Sequence, residues 1–140
     1  MAHIIIASHG GLAAGMLDSV RMIAGDVADG VETFGLQPGE NPNDFYEELY
    51  ERVSGTDEQY VIMCDLKGGS VHNALFRLTE LSNVVVFAGT TLAMALEVIL
   101  TVQDRMTAEQ AQMILDVTRE GVVAQMGGEA PADGDEDDEF

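Results

Sequence analysis

Four short apolar runs alternate along the chain with segments whose apolar residues recur at helical spacing. This is the pattern that builds a parallel sheet with helices on its faces. The first run, His3 to Ser8, holds three consecutive isoleucines with no polar alternation, and so predicts a central strand covered on both sides. Leu12, Met16, Leu17, Val20 and Ile23 then share one helical face, and Gly25 closes that segment. A weaker strand is expected at Val31 to Leu36. Asn41 as N-cap, Pro42 at the first helical position and a face of Phe45, Leu49 and Val53 announce the next helix, which Gly55 ends. Tyr60 to Cys64 reads as the third strand. Asp65, poorly suited to a buried strand interior, marks its exit.

Ser70 can cap a third helix with Val71, Ala74, Leu75 and Leu78 facing inward, and Asn83 to Ala88 gives the fourth strand. Thr90 or Thr91 can cap a fourth helix from Leu92 to about Leu100. That helix is apolar on nearly every side, as a buried helix or one in a subunit interface would be. Thr107 and Gln110 form a capping-box pair opening a last helix, expected to run to about Met126 before Gly127 and Gly128 stop it. The fold class is therefore α/β: an open, doubly wound, mainly parallel four-stranded sheet with helices on both faces.

Composition sets the scale of this fold. The chain has 140 residues, 46% apolar and 22% charged, enough to bury the core of one domain. The expected division is a folded domain over 1–126 and an acidic, disordered tail over 127–140, where seven acids meet no base. Six Lys and Arg against 25 Asp and Glu give a net charge of −19. That balance repels nucleic acid and anionic membrane and favours a partner with a positively charged docking face. Cys64 is alone, which excludes an internal disulfide and paired zinc thiols and fits a reducing compartment. With no basic leader region and no apolar run near the roughly 18 residues of a membrane span, a cytoplasmic protein is expected.

Ligands of open α/β sheets bind beyond the carboxyl ends of the strands, where strand order reverses. If the order is 2-1-3-4, as in flavodoxin-like sheets, the reversal lies between the first and third strands. Their exits are Ser8-His9-Gly10-Gly11 and Asp65-Leu66-Lys67-Gly68-Gly69-Ser70. An imidazole and a carboxylate would then emerge side by side. A carboxylate on one ring nitrogen fixes the tautomer and leaves the other nitrogen free to attack, so His9 is the candidate nucleophile and Asp65 its orienter. The Gly68-Gly69-Ser70 turn opens a helix, where unpaired N–H groups and the Ser70 hydroxyl could receive a phosphoryl group. The turn lacks the longer glycine-rich loop that wraps a nucleotide triphosphate. Blander readings stand beside these: His9 as a loop residue, Asp65 as a turn cap, Ser70 as an N-cap only. His72 reads as a surface or packing histidine and His3 as structural. A metal site from His9, Asp65 and His72 matches no metal-ligand spacing.

Ile4-Ile5-Ile6-Ala7-Ser8-His9-Gly10 and Asp65-Leu66-Lys67-Gly68-Gly69-Ser70, with Pro38-Gly39-Glu40-Asn41 and Asn73-Ala74, resemble the enzyme IIA domain of the mannose family of the bacterial sugar phosphotransferase system. The resemblance spans about residues 2 to 125. It implies a phosphocarrier whose His9 accepts a phosphoryl group from the phosphohistidine of HPr and passes it to a separate enzyme IIB, with no cofactor, metal or nucleotide taking part. It also implies that Asp65 pairs with the active imidazole, that Ser70 hydrogen-bonds the phosphoryl oxygens, and that the chain forms a homodimer through its C-terminal helices. Two departures are visible: Val71-His72 stands where the family often has Pro after the motif serine, and Lys67 stands where an aromatic or small residue is usual. Lys67 is expected to lend positive potential to the phosphoryl group. The phosphocarrier subunit of a dihydroxyacetone kinase has a similar fold and histidine chemistry, but its motif usually reads Met-Gly-Ser. A non-catalytic flavodoxin-like binding domain is the alternative from another class.

Overall fold

The computed structural model describes residues 1–128. Four parallel strands, β1 (His3–His9), β2 (Glu32–Leu36), β3 (Tyr60–Cys64) and β4 (Val84–Ala88), form one sheet in the order β2-β1-β3-β4. Five α-helices connect and flank them: α1 (Leu12–Ala24), α2 (Pro42–Ser54), α3 (Ser70–Leu75), α4 (Leu92–Thr101) and α5 (Ala108–Glu120). The doubly wound topology expected from the alternation of apolar runs is the one observed.

Alternation along the two central strands divides the core into two layers. Ile6, Val61 and Met63 face Leu17, Val20, Met94, Val98 and Ile114 on one side of the sheet. Ile5, Ala7, Ile62 and Cys64 face Leu49, Val53, Val71, Leu75 and Leu78 on the other. All five residues of β3 are buried, as a strand covered on both faces requires. Full burial of each Val, Leu, Ile or Met side chain contributes roughly 1.5–3 kcal/mol, so these layers dominate the energetics of the fold. α4 is apolar all round because this chain itself covers it: Met94, Ala95, Leu96, Val98 and Ile99 are buried within the single subunit.

The helix starts follow their caps. Asn41 accepts from the Asn43 N–H ahead of Pro42, Thr91 accepts from the Met94 N–H, and Thr107 and Gln110 complete a reciprocal capping box. Three boundaries differ from expectation. α5 stops at Glu120, six residues early, because Gly121 takes the C-cap position and the β-branched Val122 and Val123 follow it. α3 is only six residues long and passes into a 3-10 segment, Phe76–Glu80, that still buries Leu78. Ser70 is the first helical residue rather than the cap, a place taken by Gly69. Apart from Gly127 and Gly128, the expected acidic tail lies outside the described residues.

Candidate active site

Strand register brings the site together. Ala7 of β1 lies opposite Cys64 of β3, and the Asp65 N–H donates to the Ala7 carbonyl at 3.1 Å. His9 and Asp65 therefore leave the sheet as neighbours although 56 residues separate them. On its other side His9 pairs with Leu36 of β2, whose carbonyl accepts the Gly10 N–H at 2.8 Å. The buried Ser8 hydroxyl accepts the Ala13 N–H at 2.8 Å, tying the first turn of α1 to the end of β1 directly behind the histidine.

Asp65 Oδ2 receives two hydrogen bonds from one residue: the His9 backbone N–H at 2.9 Å and the His9 ring Nδ1 at 2.8 Å. Burial pushes the Asp65 carboxyl up, but the His9 backbone N–H and ring outweigh it and hold the group below its usual value. It is thus an ionised acceptor at neutral pH, so Nδ1 must carry the proton that is shared. In the neutral ring Nε2 then holds the lone pair. The Ser70 hydroxyl lies 3.2 Å from Nε2 and can donate to it. The His9 side chain is 47% exposed while that of Asp65 is 11% exposed, so the imidazole faces solvent and the carboxylate does not. Asp65 Oδ1 is buried and accepts no hydrogen bond among the described residues. Next to it, burial and the Asp65 charge push the Cys64 thiol up to about 12, so it stays protonated and inert.

The loop from Leu66 to Gly69 closes through a Gly69 N–H to Leu66 carbonyl bond of 3.0 Å, with Gly68 at φ +80°, the positive value the third position of a type II turn demands. A Cβ on Gly69 would stand 3.3 Å from His9 Cε1 and 3.2 Å from the Leu66 carbonyl, so glycine lets this turn lie against the ring edge. The amides at Gly68 and Gly69 are not unpaired as the sequence suggested: Gly68 donates to His72 Nδ1 and Gly69 to Leu66. Lys67 and Ser70 are exposed, Lys67 in the turn itself and Ser70 against His9.

His3 lies at the far end of β1, away from this cluster, where its Nε2 contacts Glu58 and its ring stacks on Tyr60. Among the described residues no group of three or more His, Cys, Asp or Glu side chains could hold a metal ion. Sequence reasoning passed over Gly35. A Cβ there would come within 2.2 Å of the Gly10 carbonyl, so the glycine lets the loop after His9 cross β2. The signal was available, because a glycine inside a strand often marks close backbone approach. Of the two threonines offered as caps of α4, Thr91 takes that place, and the Thr90 hydroxyl instead donates to the Cys64 carbonyl at 2.7 Å and pins the end of β3.

Residues 3–115 match the family described as PTS system fructose IIA component. Over 101 residues the chain is 42% identical to the PTS system sorbose-specific EIIA component of Klebsiella pneumoniae, an alignment spanning 71% of this chain and 73% of that protein. The crystal structure of phosphotransferase system component EIIA from Streptococcus agalactiae is similar at TM-score 0.76 and 26% identity, covering 89% of this chain and 97% of that one. The mannose/sorbose specific IIA subunit from Enterococcus faecalis shares the fold at TM-score 0.76 and 23% identity, over 93% and 98% of the two chains. No helix among the described residues is long and apolar enough to cross a membrane.

Proposed function

Because the chain belongs to the mannose-family IIA components of the bacterial sugar phosphotransferase system, we propose that it relays a phosphoryl group from HPr, through His9, to a separate enzyme IIB. The observation that supports this most directly is a half-exposed imidazole with Nδ1 bound to a sheltered carboxylate and Nε2 facing a hydroxyl. The Nε2 lone pair attacks the phosphorus of the donor's phosphohistidine, the donor's P–N bond breaks, and a new P–N bond forms at Nε2. The Nδ1 proton stays on the ring, shared with Asp65, which stabilises the positive charge that develops there. The Ser70 hydroxyl, released from Nε2, turns to a phosphoryl oxygen. Transfer to enzyme IIB reverses these steps.

Lys67, the sole lysine of a strongly acidic chain, adds local positive potential for the phosphoryl oxygens. Gly68 and Gly69 serve the phosphoryl site by shaping the turn that carries Lys67 and Ser70. The working form is a homodimer. Leu100, Met113, Val117, Val122, Val123 and Met126 leave an exposed apolar surface on and after the last two helices, which a second copy would cover.

Incubation with enzyme I, HPr and phosphoenolpyruvate should add one acid-labile, base-stable phosphoryl per chain by intact mass, and none to His9→Ala. Full phosphorylation of His9→Ala would move the site elsewhere. Delivery to an enzyme IIB supports the sugar-system reading, whereas delivery only to dihydroxyacetone through a kinase subunit overturns it. A monomer by sedimentation at micromolar concentration would remove the dimer.

A further inference from the structure

The turn that carries Gly69 and Ser70 is held from behind. The Gly68 N–H donates to His72 Nδ1 at 3.1 Å, and the Gly68 carbonyl accepts from Asn73 Nδ2 at 3.0 Å. The two peptide groups that flank the Gly68 Cα are thus each gripped by one of two adjacent side chains of α3. The Asn73 N–H adds a 2.8 Å bond to the Gly69 carbonyl. The N-cap residue Gly69 has no side chain to offer, and no side-chain cap is present at the start of this six-residue helix. His72 stands three residues past that cap. In a capping box the residue at this place reaches back to the N–H of the cap; here the imidazole reaches one residue further. Its ring is kept in place by Phe76, one turn on, at a centroid distance of 5.6 Å.

Resting on the phosphocarrier reading, we propose that His72 is a positioning residue for phosphoryl transfer: through the Gly68 N–H it fixes the turn that sets Gly69 against the His9 ring edge and Ser70 Oγ against Nε2. The chemistry requires Nδ1 as an acceptor, so His72 works as the neutral ring with its proton on Nε2. Gly68 lies one residue from the glycine that touches His9 Cε1 and two from the hydroxyl that meets Nε2. Freed of its acceptor, the Lys67–Gly68 peptide can rotate. The Ser70 hydroxyl then loses its fixed line to the reacting nitrogen, which lowers the rate of transfer without weakening donor docking. An aromatic ring at 72 would preserve the contact with Phe76 but not the acceptor, and a glutamine would restore an acceptor at the end of a flexible arm.

The test compares His72→Phe and His72→Gln with the parent chain, using phosphorylated HPr as donor. His72→Phe should lower kcat for phosphoryl uptake about tenfold with KM unchanged, as loss of one oriented hydrogen bond would. His72→Gln should recover most of that loss. In NMR spectra of the unphosphorylated protein, the Gly68 amide proton should move upfield in His72→Phe and return toward its parent position in His72→Gln. Parent protein that takes up no phosphoryl group would defeat the phosphocarrier reading, with the amide shift still reporting on the clamp. A parent that is active with His72→Phe equally active, a change confined to KM, or equal losses in both variants would each overturn the positioning role.

Discussion

The two ends of β1 carry the same pair of groups and do different things with them. At one end His3 meets Glu58 across 55 residues of sequence, at 3.1 Å; at the other His9 meets Asp65 across 56, at 2.8 Å. Glu58 is half exposed and also shared with the N-terminal amine, so its attraction for the imidazole is divided and screened by water. Asp65 is sheltered and spends a single oxygen on the backbone and ring of one residue. At the His3 end the bonded nitrogen is Nε2 and the ring is stacked on Tyr60. At the His9 end Nδ1 is bonded, Nε2 is presented, and a glycine turn leaves room beside it. On the phosphocarrier reading, proximity of an imidazole and a carboxylate is therefore not enough to make a nucleophile. The carboxylate must be withdrawn from water, and the opposite nitrogen must have somewhere to react.

The sharpest way to break this contrast is to remove each histidine in turn. His9→Ala should abolish phosphoryl uptake, while His3→Ala should leave its rate within about twofold, since an exposed contact at the opposite end of the strand contributes little; intact-mass time courses read both. Removing the carboxylates comes next. Asp65→Asn should slow uptake by roughly 10²–10⁴-fold, because the amide no longer fixes the reactive tautomer, and Glu58→Gln should have no such effect in the same stopped-time assay.

Backbone space distinguishes the active end further. Gly35→Ala should lower stability by about 3 kcal/mol in urea unfolding, since its methyl meets the Gly10 carbonyl and backbone must shift to admit it. An unchanged midpoint would show that β2 does not constrain the His9 loop. The acid limb of stability sharpens the comparison from another side. In the folded chain both carboxyls lie below their ordinary values. Hydrogen bonding by His3 and by the N-terminal amine lowers Glu58; at Asp65, burial acts upward and the His9 hydrogen bonds prevail. A depressed folded value gives stability that is complete above the unfolded carboxyl range near about pH 4 and is lost as pH falls through the lower folded value. Asp65→Asn should flatten that limb at 0.15 M salt, and Glu58→Gln should flatten it less, because screening already weakens the exposed pair. The smallest effect is expected at Lys67. Lys67→Met should slow uptake by about threefold at low ionic strength and less at high, as loss of one exposed charge would; identical rates under both conditions would remove its electrostatic role.

Much of this site is legible in the sequence. The strand exits at His9 and Asp65 follow from where apolar runs stop, and the rule that ligands gather where strand order reverses selects those two exits from the rest. Asn41, Pro42, Thr107 and Gln110 read directly as helix starts because capping is local chemistry between residues two or three apart. Ser70 misled for the same reason. It looks like a cap in sequence but is the first helical residue, while its hydroxyl lies, as expected, at the cleft of a histidine 61 residues away. The apolar girth of α4 was legible too, but whether a second subunit or the same chain covers it is not a property of the segment.

Apolar periodicity and capping residues by themselves determined the element types, because each depends on contacts within a few residues; the alternation of those elements implied the parallel sheet, and the rule for its strand exits made His9 and Asp65 the candidates. Tertiary structure alone decided which ring nitrogen meets Asp65, which segments pass against Gly35 and Gly69, and that His72 and Asn73 hold the turn between them. Those features depend on register and on distances between distant segments, set to a fraction of an ångström by packing, and no local pattern of residue types encodes them.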